Sequence, residues 1–416
     1  MRILYLTQWF EPEPVFKGMD FAKGLAAEGL TVTVVTGFPN YPVGKLYPQY
    51  RMRWCSTEQH DGITVKRLPL YPSHDRSVVR RALNYISFAA SATVYCLAVG
   101  HRWDVIYVYH PPLTAALAGV ISGWVRRRPV IVDVQDLWPD SLTATGMMRR
   151  GWGTRMLGAL AGFVYRRARF LIVQSEGFGK VLRRRGVPAE KILTIYNWAD
   201  ESAVAVSSAA NGNVPALSKQ HFNVMFAGTI GLAQGLDAVL DAAKLLADRA
   251  PHVRFVLAGD GADLPRLRHR ILQEAIGNVE LIGAVPRSEV AKLLQQADAL
   301  LVSLKADPLF SVTVPSKTQF YLASGKPILI AATGEAAHLV EAAGAGIAVA
   351  PGDGAALAEA AMQLASMSSD ERAAMGDSGA RYYRRFFARA EAMKRTAAVV
   401  RSCARANVSA QPSTAT

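Results

Sequence analysis

The stretch Asn223-Val224-Met225-Phe226-Ala227-Gly228-Thr229-Ile230-Gly231 decides the fold. Its first five residues, almost all apolar, read as a buried strand, and two glycines then turn the chain toward a helix near Gly235. Glycine at a strand-to-helix turn lets backbone N–H groups approach an anion at the helix N-terminus. One such turn is weak evidence, because tight turns of every kind use glycine. The arrangement recurs, however. Ala258-Gly259-Asp260-Gly261 follows the run Arg254–Ala258, and Val314-Pro315-Ser316-Lys317 opens a helix. There Ser316 is placed to cap and Lys317 to contact a phosphate. Gly325-Lys326-Pro327 leads into another strand, followed by Gly334-Glu335. An ordered set of anion-friendly turns on one rim is more than a generic α/β domain shows by chance.

Outward from that stretch, further strands read at Val279–Ile282, Ala299–Ser303, Pro327–Ile330 and Ile347–Ala350. The first half repeats the rhythm, with strands at Arg2–Leu6, Leu30–Thr36, Thr64–Leu68, Val105–Tyr109, Val130–Val134, Phe170–Val173 and Ile192–Ile195. Lys17–Glu28 reads as the first crossover helix, with Gly29 as its stop. Continuous apolar strands alternating with helices predict parallel sheets covered on both faces. A break follows Asn197-Trp198-Ala199-Asp200, and the small, turn-prone residues 206–219 read as a linker. The expected fold is α/β, with two Rossmann-like doubly wound domains facing an inter-domain cleft, residues 1–203 and 220–380. The last thirteen or so residues read as a frayed tail.

Ala82–Gly100 holds no charged residue for nineteen positions, with Arg80, Arg81 and Arg102 flanking it. Its length is borderline for a membrane span, and Asn84, three Ser/Thr residues and two tyrosines make it less oily than most. A span would also divide the first sheet across the bilayer. Two readings stay open, a helix buried in the domain and one lying in the membrane interface.

Charge is uneven. Residues 1–200 carry 26 Lys+Arg against 14 Asp+Glu, while the remainder is nearly neutral. Arginine runs such as Arg126-Arg127-Arg128 and Arg183-Arg184-Arg185 read singly as solvated faces. The asymmetry as a whole suggests an anionic partner, whether nucleic acid, anionic lipid or a phosphorylated substrate. Recognised nucleic-acid modules are missing, and aromatics do not interleave with the basic runs, so no nucleic-acid partner is expected. Cys55, Cys96 and Cys403 form neither a ligand spacing nor a disulfide framework. The strand-like run at Ile3–Leu6, close behind Met1, leaves no room for a signal peptide, so a cytoplasmic location is expected.

Four stretches end on the rim of the first half: Glu11–Gly18, Gly37–Pro42, Tyr107–Pro112 and Asp133–Asp140. A sugar acceptor or its phosphates would dock there, with Glu13, Lys17, Gly18, Asn40 and Tyr41 as candidate contacts. His110 and Asp136 are the candidate catalytic groups, a packing role for His110 being the alternative. Strand alternation sends Asp133 to one face and leaves Asp136 at the strand's end. No metal-ligand cluster, Walker A sequence or G-x-G-x-x-G spacing appears, and Asp133-Val134-Gln135-Asp136 has the wrong spacing for a DxD motif. The expectation is chemistry without a metal or other cofactor, with a departing diphosphate held by N–H groups, helix dipoles and Lys317.

These stretches together resemble glycosyltransferase family 4, and within it the WbuB-like bacterial polysaccharide transferases, over about residues 1–400. The resemblance rests on Thr7–Glu13, Thr36–Gly44, Gln135–Asp140, Ala227–Leu236, Gly259–Gly261 and Pro315-Ser316-Lys317 with Gly325-Lys326-Pro327. It implies a GT-B fold, an N-terminal acceptor domain, a C-terminal nucleotide-sugar domain and a C-terminal helix, residues 381–403, crossing back to the first. It also implies metal-independent transfer with retention, from a UDP-linked amino sugar such as UDP-N-acetyl-fucosamine onto a polyprenyl-diphosphate-linked saccharide. That acceptor implies O-antigen or capsule synthesis at the inner face of the cytoplasmic membrane, so an anionic membrane surface is an expected partner. Two glutamates common in the family correspond to Val312 and Phe320, and its diphosphate-clamping Arg and Lys correspond to Thr229 and Gln234. The family's histidine corresponds to Gln135, next to Asp136. The expected donor contacts are therefore Gly228, Thr229, Gly231, Gln234, Gly259, Asp260, Gly261, Ser316, Lys317, Tyr321 and Glu335. The competing readings are a GT-B-fold UDP-N-acetylglucosamine epimerase and a non-enzymatic basic scaffold for membrane or nucleic acid.

Overall fold

The computed structural model describes residues 1–74, 77–144, 148–149, 151–206 and 215–408. Most of the expected linker and the end of the expected tail, residues 207–214 and 409–416, lie outside these. The chain divides into two compact units.

In the first unit the elements run β1 (Arg2–Leu6), α1 (Met19–Ala27), β2 (Thr31–Gly37), β3 (Ser56–His60), β4 (Ile63–Leu68), α2 (Val78–Val99) and β5 (Val105–His110). They continue as α3 (Leu113–Val125), β6 (Val130–Val134), α4 (Asp140–Ala144), α5 (Trp152–Arg167), β7 (Phe170–Val173), α6 (Glu176–Arg184) and β8 (Ile192–Thr194). The eight strands form one sheet in the order β3-β4-β2-β1-β5-β6-β7-β8, parallel except for β3. Strand β3 escapes the sequence reading because Ser56-Thr57-Glu58-Gln59-His60 has no apolar run to betray it. It is an edge strand, and its polar side chains suit that place.

The second unit opens with α7 (Glu201–Val206) and continues through β9 (Phe222–Ala227), α8 (Asp237–Arg249), β10 (Val253–Ala258), α9 (Leu264–Gln273), β11 (Val279–Gly283), α10 (Arg287–Gln295) and β12 (Ala299–Ser303). Then follow α11 (Ser316–Ser324), β13 (Ile328–Ala331), α12 (Glu335–Ala342), β14 (Gly346–Val349), α13 (Gly354–Ser366) and α14 (Ser369–Phe386). Its six parallel strands take the order β11-β10-β9-β12-β13-β14, with apolar cores on both faces. Both sheets change direction next to their first strand, which opens a crevice at the carboxyl ends of the strands within each unit.

Two boundaries differ from the sequence reading. The second unit begins at Tyr196, ahead of the break and the linker. The reason is packing: Trp198 and Ala199 are buried, the Ala199 N–H donates to the Tyr383 hydroxyl, and Tyr196 packs against Phe387. At the other end the expected single helix is two, α14 and α15 (Arg389–Val408), interrupted after Phe386. From Ala390 onward α15 belongs to the first unit, where Met393 packs on Gly24 and Arg401 bonds the Glu28 carbonyl.

Candidate functional site

The glycine turns of the second unit are first of all a packing device. Strands β9 and β10 are neighbours, and both end in glycines with positive φ, Gly228 and Gly259. A Cβ on Gly259 would sit 1.8 Å from the Gly228 carbonyl oxygen, and one on Gly261 would sit 2.1 Å from the Ile230 oxygen. No other residue lets the two turns approach so closely. Gly228 N–H donates to the Ala258 carbonyl and Ile230 N–H to that of Asp260, so Asp260 contributes its backbone to the same lattice. Its carboxylate turns back on the Gly261 N–H at 2.7 Å.

Lys317 lies over this floor. It stands in the first turn of α11, close enough that a Cβ built on Gly228 would be 2.5 Å from its Cε. Its Nζ is 3.9 Å from the centroid of the Phe226 ring, a cation–π contact. No carboxylate pairs with it among the described residues. Burial without a counter-charge pushes the Lys317 ammonium down to about 8. A desolvated cation beside exposed Gly228 and Thr229, at a helix N-terminus, is a receptor for an anion.

The other donor-side candidates divide. Tyr321 is buried, and its hydroxyl accepts from the Ala227 N–H at 3.0 Å, tying α11 to the end of β9. The Gln234 side chain accepts from the Gly231 N–H at 3.1 Å and holds the turn's shape. Ser316 is exposed but does not cap: Pro315 occupies the N-cap, and the helix has no side-chain cap bond. Glu335 opens α12, yet its carboxylate already accepts from the N–H groups of Glu176 and Gly177 at 2.7 and 2.5 Å and from the Tyr196 hydroxyl at 3.0 Å. Glu176 and Gly177, with Ser175, count with the second unit although the rest of α6 belongs to the first. It is a tether rather than an open acceptor. Phe226 and Gln319 escaped the sequence reading. The Gln319 amide is buried with neither atom partnered among the described residues, two positions after Lys317.

In the first unit the acceptor-side candidates are mostly committed to the fold. Lys17 is buried, and its Nζ pairs with Asp133 at 2.5 Å, while Tyr107 and Gln135 also donate to Asp133. The position after β1 suggested an open loop lysine, but the side chain turns inward to neutralise a carboxylate that strand alternation places in the core. Glu13 is buried as well, accepting from the N–H groups of Phe10, Asn40 and Tyr41. Burial outweighs those bonds and pushes its carboxyl up to about 7. Gly18 leaves room for the Glu11 carboxylate, which accepts from the Met19 N–H at 2.8 Å. Asn40 is buried against Asn84. Tyr41 keeps a ring partly open, in a cluster with Trp9, Tyr85 and His74.

His110 and Asp136 stand at the ends of adjoining strands, since His110 pairs with Val134 and its carbonyl accepts from the Gln135 N–H. The imidazole is fully buried, unpartnered at both nitrogens among the described residues, and pushed down to about 4 by desolvation. It is neutral at physiological pH. Asp136 is different: no hydrogen bond or ion pair to its carboxylate occurs among the described residues, and burial raises its pKa. Among the described residues no three His, Cys, Asp or Glu side chains gather as a metal site would need.

Comparison with known proteins agrees with this arrangement. The family description "Glycosyl transferase 4-like domain" matches residues 19–198, and "Glycosyl transferases group 1" matches residues 211–382. Over 347 residues the chain is 27% identical to a protein of Escherichia coli K12 named as the colanic acid biosynthesis glycosyl transferase WcaI, covering 80% of this chain and 83% of that one. A Pseudomonas aeruginosa protein named as the glycosyltransferase WbjE is 25% identical over 292 residues, 69% of this chain and 72% of its own. Among solved structures, Anabaena HepE in complex with UDP superposes with a TM-score of 0.70 at 19% identity, covering 97% of this chain and 100% of that one. Sucrose-phosphate synthase of Thermosynechococcus elongatus gives 0.74 at 18%, with 97% and 99% covered. With both matched halves in sequence order on two doubly wound units, the chain belongs to the GT-B glycosyltransferases that join a 4-like domain to a group 1 domain, and it is an enzyme of that class.

Proposed function

We propose that this enzyme transfers a sugar from a UDP-linked donor onto a polyprenyl-diphosphate-linked saccharide during synthesis of a bacterial surface polysaccharide. The observation that carries the reading is Lys317: a mostly buried ammonium without a carboxylate, lying over the Gly228 turn at a helix N-terminus. That is the electrostatics a diphosphate requires, both when the donor binds and when UDP departs. The UDP in the HepE complex supports the donor, and the colanic acid biosynthesis named for WcaI supports the pathway class.

In this reading Lys317 and the N–H groups near Gly228 and Thr229 take up the charge that develops on the leaving diphosphate. Asp136 receives or orients the acceptor hydroxyl, being the partnerless carboxylate at the carboxyl end of β6. The Trp9–Tyr41–Tyr85 cluster offers aromatic faces to a saccharide. Retention at the anomeric carbon, transfer without a metal and work at the inner face of the cytoplasmic membrane belong to the same proposal. A thermal-shift series over UDP-, GDP- and dTDP-sugars tests the donor. Stabilisation by UDP and UDP-sugars alone is expected; a shift with none of them would overturn the assignment.

A further inference from the structure

Helix α2 carries two apolar stripes, and only one of them is covered. Asn84, Phe88, Ala92 and Cys96 are buried against the first unit. The opposite stripe, Val79, Leu83, Ile86, Ala90, Val94 and Ala98, is exposed and holds no polar side chain. A surface helix ordinarily puts its polar residues there. Val78–Arg102 is apolar and long enough to cross a membrane, and only 22% of its most apolar window is buried. Yet its buried stripe is part of the unit's core, which ties the helix to the surface of the fold.

The exposed stripe does not end at α2. Helix α3 packs beside α2, and α5 beside α3. Trp124 and Val125 at the end of α3 are 65% and 54% exposed, and Trp152, Met156 and Phe163 are exposed along α5. Between α2 and α3 runs a groove of 410 Å³, lined by Ile86, Ala90, Val94, Leu117 and Ile121 among others. Thr93, the one polar side chain in its lining, donates its hydroxyl to the Ala89 carbonyl at 2.7 Å. The groove is therefore fitted to hydrocarbon.

The three helices of this face carry charge of one sign. Helices α2, α3 and α5, with 22, 13 and 16 residues, contain no aspartate or glutamate. Arg126–Arg128 follow α3, and Arg166 and Arg167 close α5. Arg167 lies over the Trp124 and Phe163 rings at 5.2 and 5.8 Å, its guanidinium spread along the apolar surface.

We propose that this three-helix face docks on an anionic lipid bilayer. The apolar stripes and the α2–α3 groove take up lipid chains, and the flanking arginines meet lipid phosphates. Charge complementarity selects this occupant, because pairing with a second copy would set two acid-free, arginine-edged faces against each other. The inference gives the lipid-linked acceptor of the proposed function a route to the enzyme, and it rests on that reading only for its purpose.

The test is co-sedimentation of the full chain with phosphatidylglycerol–phosphatidylcholine vesicles that contain neither donor nor acceptor. Wild type should bind these vesicles and bind pure phosphatidylcholine at least tenfold more weakly. The exposed double change Ile86→Glu with Val94→Glu, and separately Arg166→Glu with Arg167→Glu, should each lower binding at least tenfold. An unchanged thermal shift with UDP shows that the variants are folded. Wild type staying in solution beside anionic vesicles, or a glutamate variant binding as tightly as wild type, would overturn the proposal. So would a dimer in sedimentation equilibrium that Ile86→Glu dissociates. Vesicle binding without any sugar transfer would leave this face standing and defeat the proposed function instead.

Discussion

Lys17 and Asp133 form an ion pair of 2.5 Å in the interior of the first unit, with both side chains almost fully buried. The first loop's lysine is thus an internal strut of the first unit. Removing one partner leaves an uncompensated buried charge, at a cost of about 3–5 kcal/mol. Lys17→Met and Asp133→Ala should each lower the denaturation midpoint by that measure in urea titrations. UDP affinity should stay unchanged, since Lys317 belongs to the other unit.

Lys317 gives the proposed donor site a pH dependence. In the free protein its ammonium is held near 8, and a bound diphosphate would raise that value. Protons are therefore taken up on binding, and affinity falls as pH rises above about 8, by at most about tenfold per unit. Calorimetric titration with UDP between pH 6 and 10 should show a plateau below about 7 and then this decline. Lys317→Arg should flatten the curve, because a guanidinium stays charged throughout. Lys317→Met should weaken binding at neutral pH by about tenfold or more.

Gly259 tolerates no side chain. A Cβ there meets the Gly228 oxygen at 1.8 Å, and its φ of 146° is one that L residues rarely adopt. Gly259→Ala should cost about 2–3 kcal/mol and displace the turn under Lys317, so both stability and UDP affinity fall together. Gly277→Ala is the control, since nothing lies within 4 Å of its Cβ position.

Asp136→Asn should separate chemistry from donor binding. The side chain keeps its size and loses its charge, so UDP affinity holds while kcat drops about 100-fold or more, as for loss of a proton-handling group. Wild-type activity should rise with pH through the ionisation of Asp136, whose pKa burial raises from its ordinary value. The Asn variant should lack that limb.

The two parallel sheets were legible because continuous apolar runs followed by glycine turns are dictated by burial on both faces. Lys317 was legible too, as a lysine at a helix start beside those turns. Local sequence could not show that Lys17 and Glu13 point inward, because a loop's burial depends on residues far along the chain: Asp133 for one, Asn40 and Tyr41 for the other. The same holds for Glu335, whose donors at Glu176 and Gly177 lie more than 150 positions away. Edge strand β3 went unread for want of apolar periodicity. The uncharged run Ala82–Gly100 was visible, but its covered and uncovered stripes became distinct only when the packing of α2 was known.

The proposed activity is sugar transfer from a UDP-linked donor to a lipid-linked acceptor. Its most direct test supplies the purified enzyme with labelled UDP-N-acetyl amino sugars and extracted polyprenyl-diphosphate oligosaccharide, and follows label into the organic phase. Label should enter that phase with wild type and fall about tenfold or more with Lys317→Met. No label in the organic phase with any nucleotide sugar would rule this activity out.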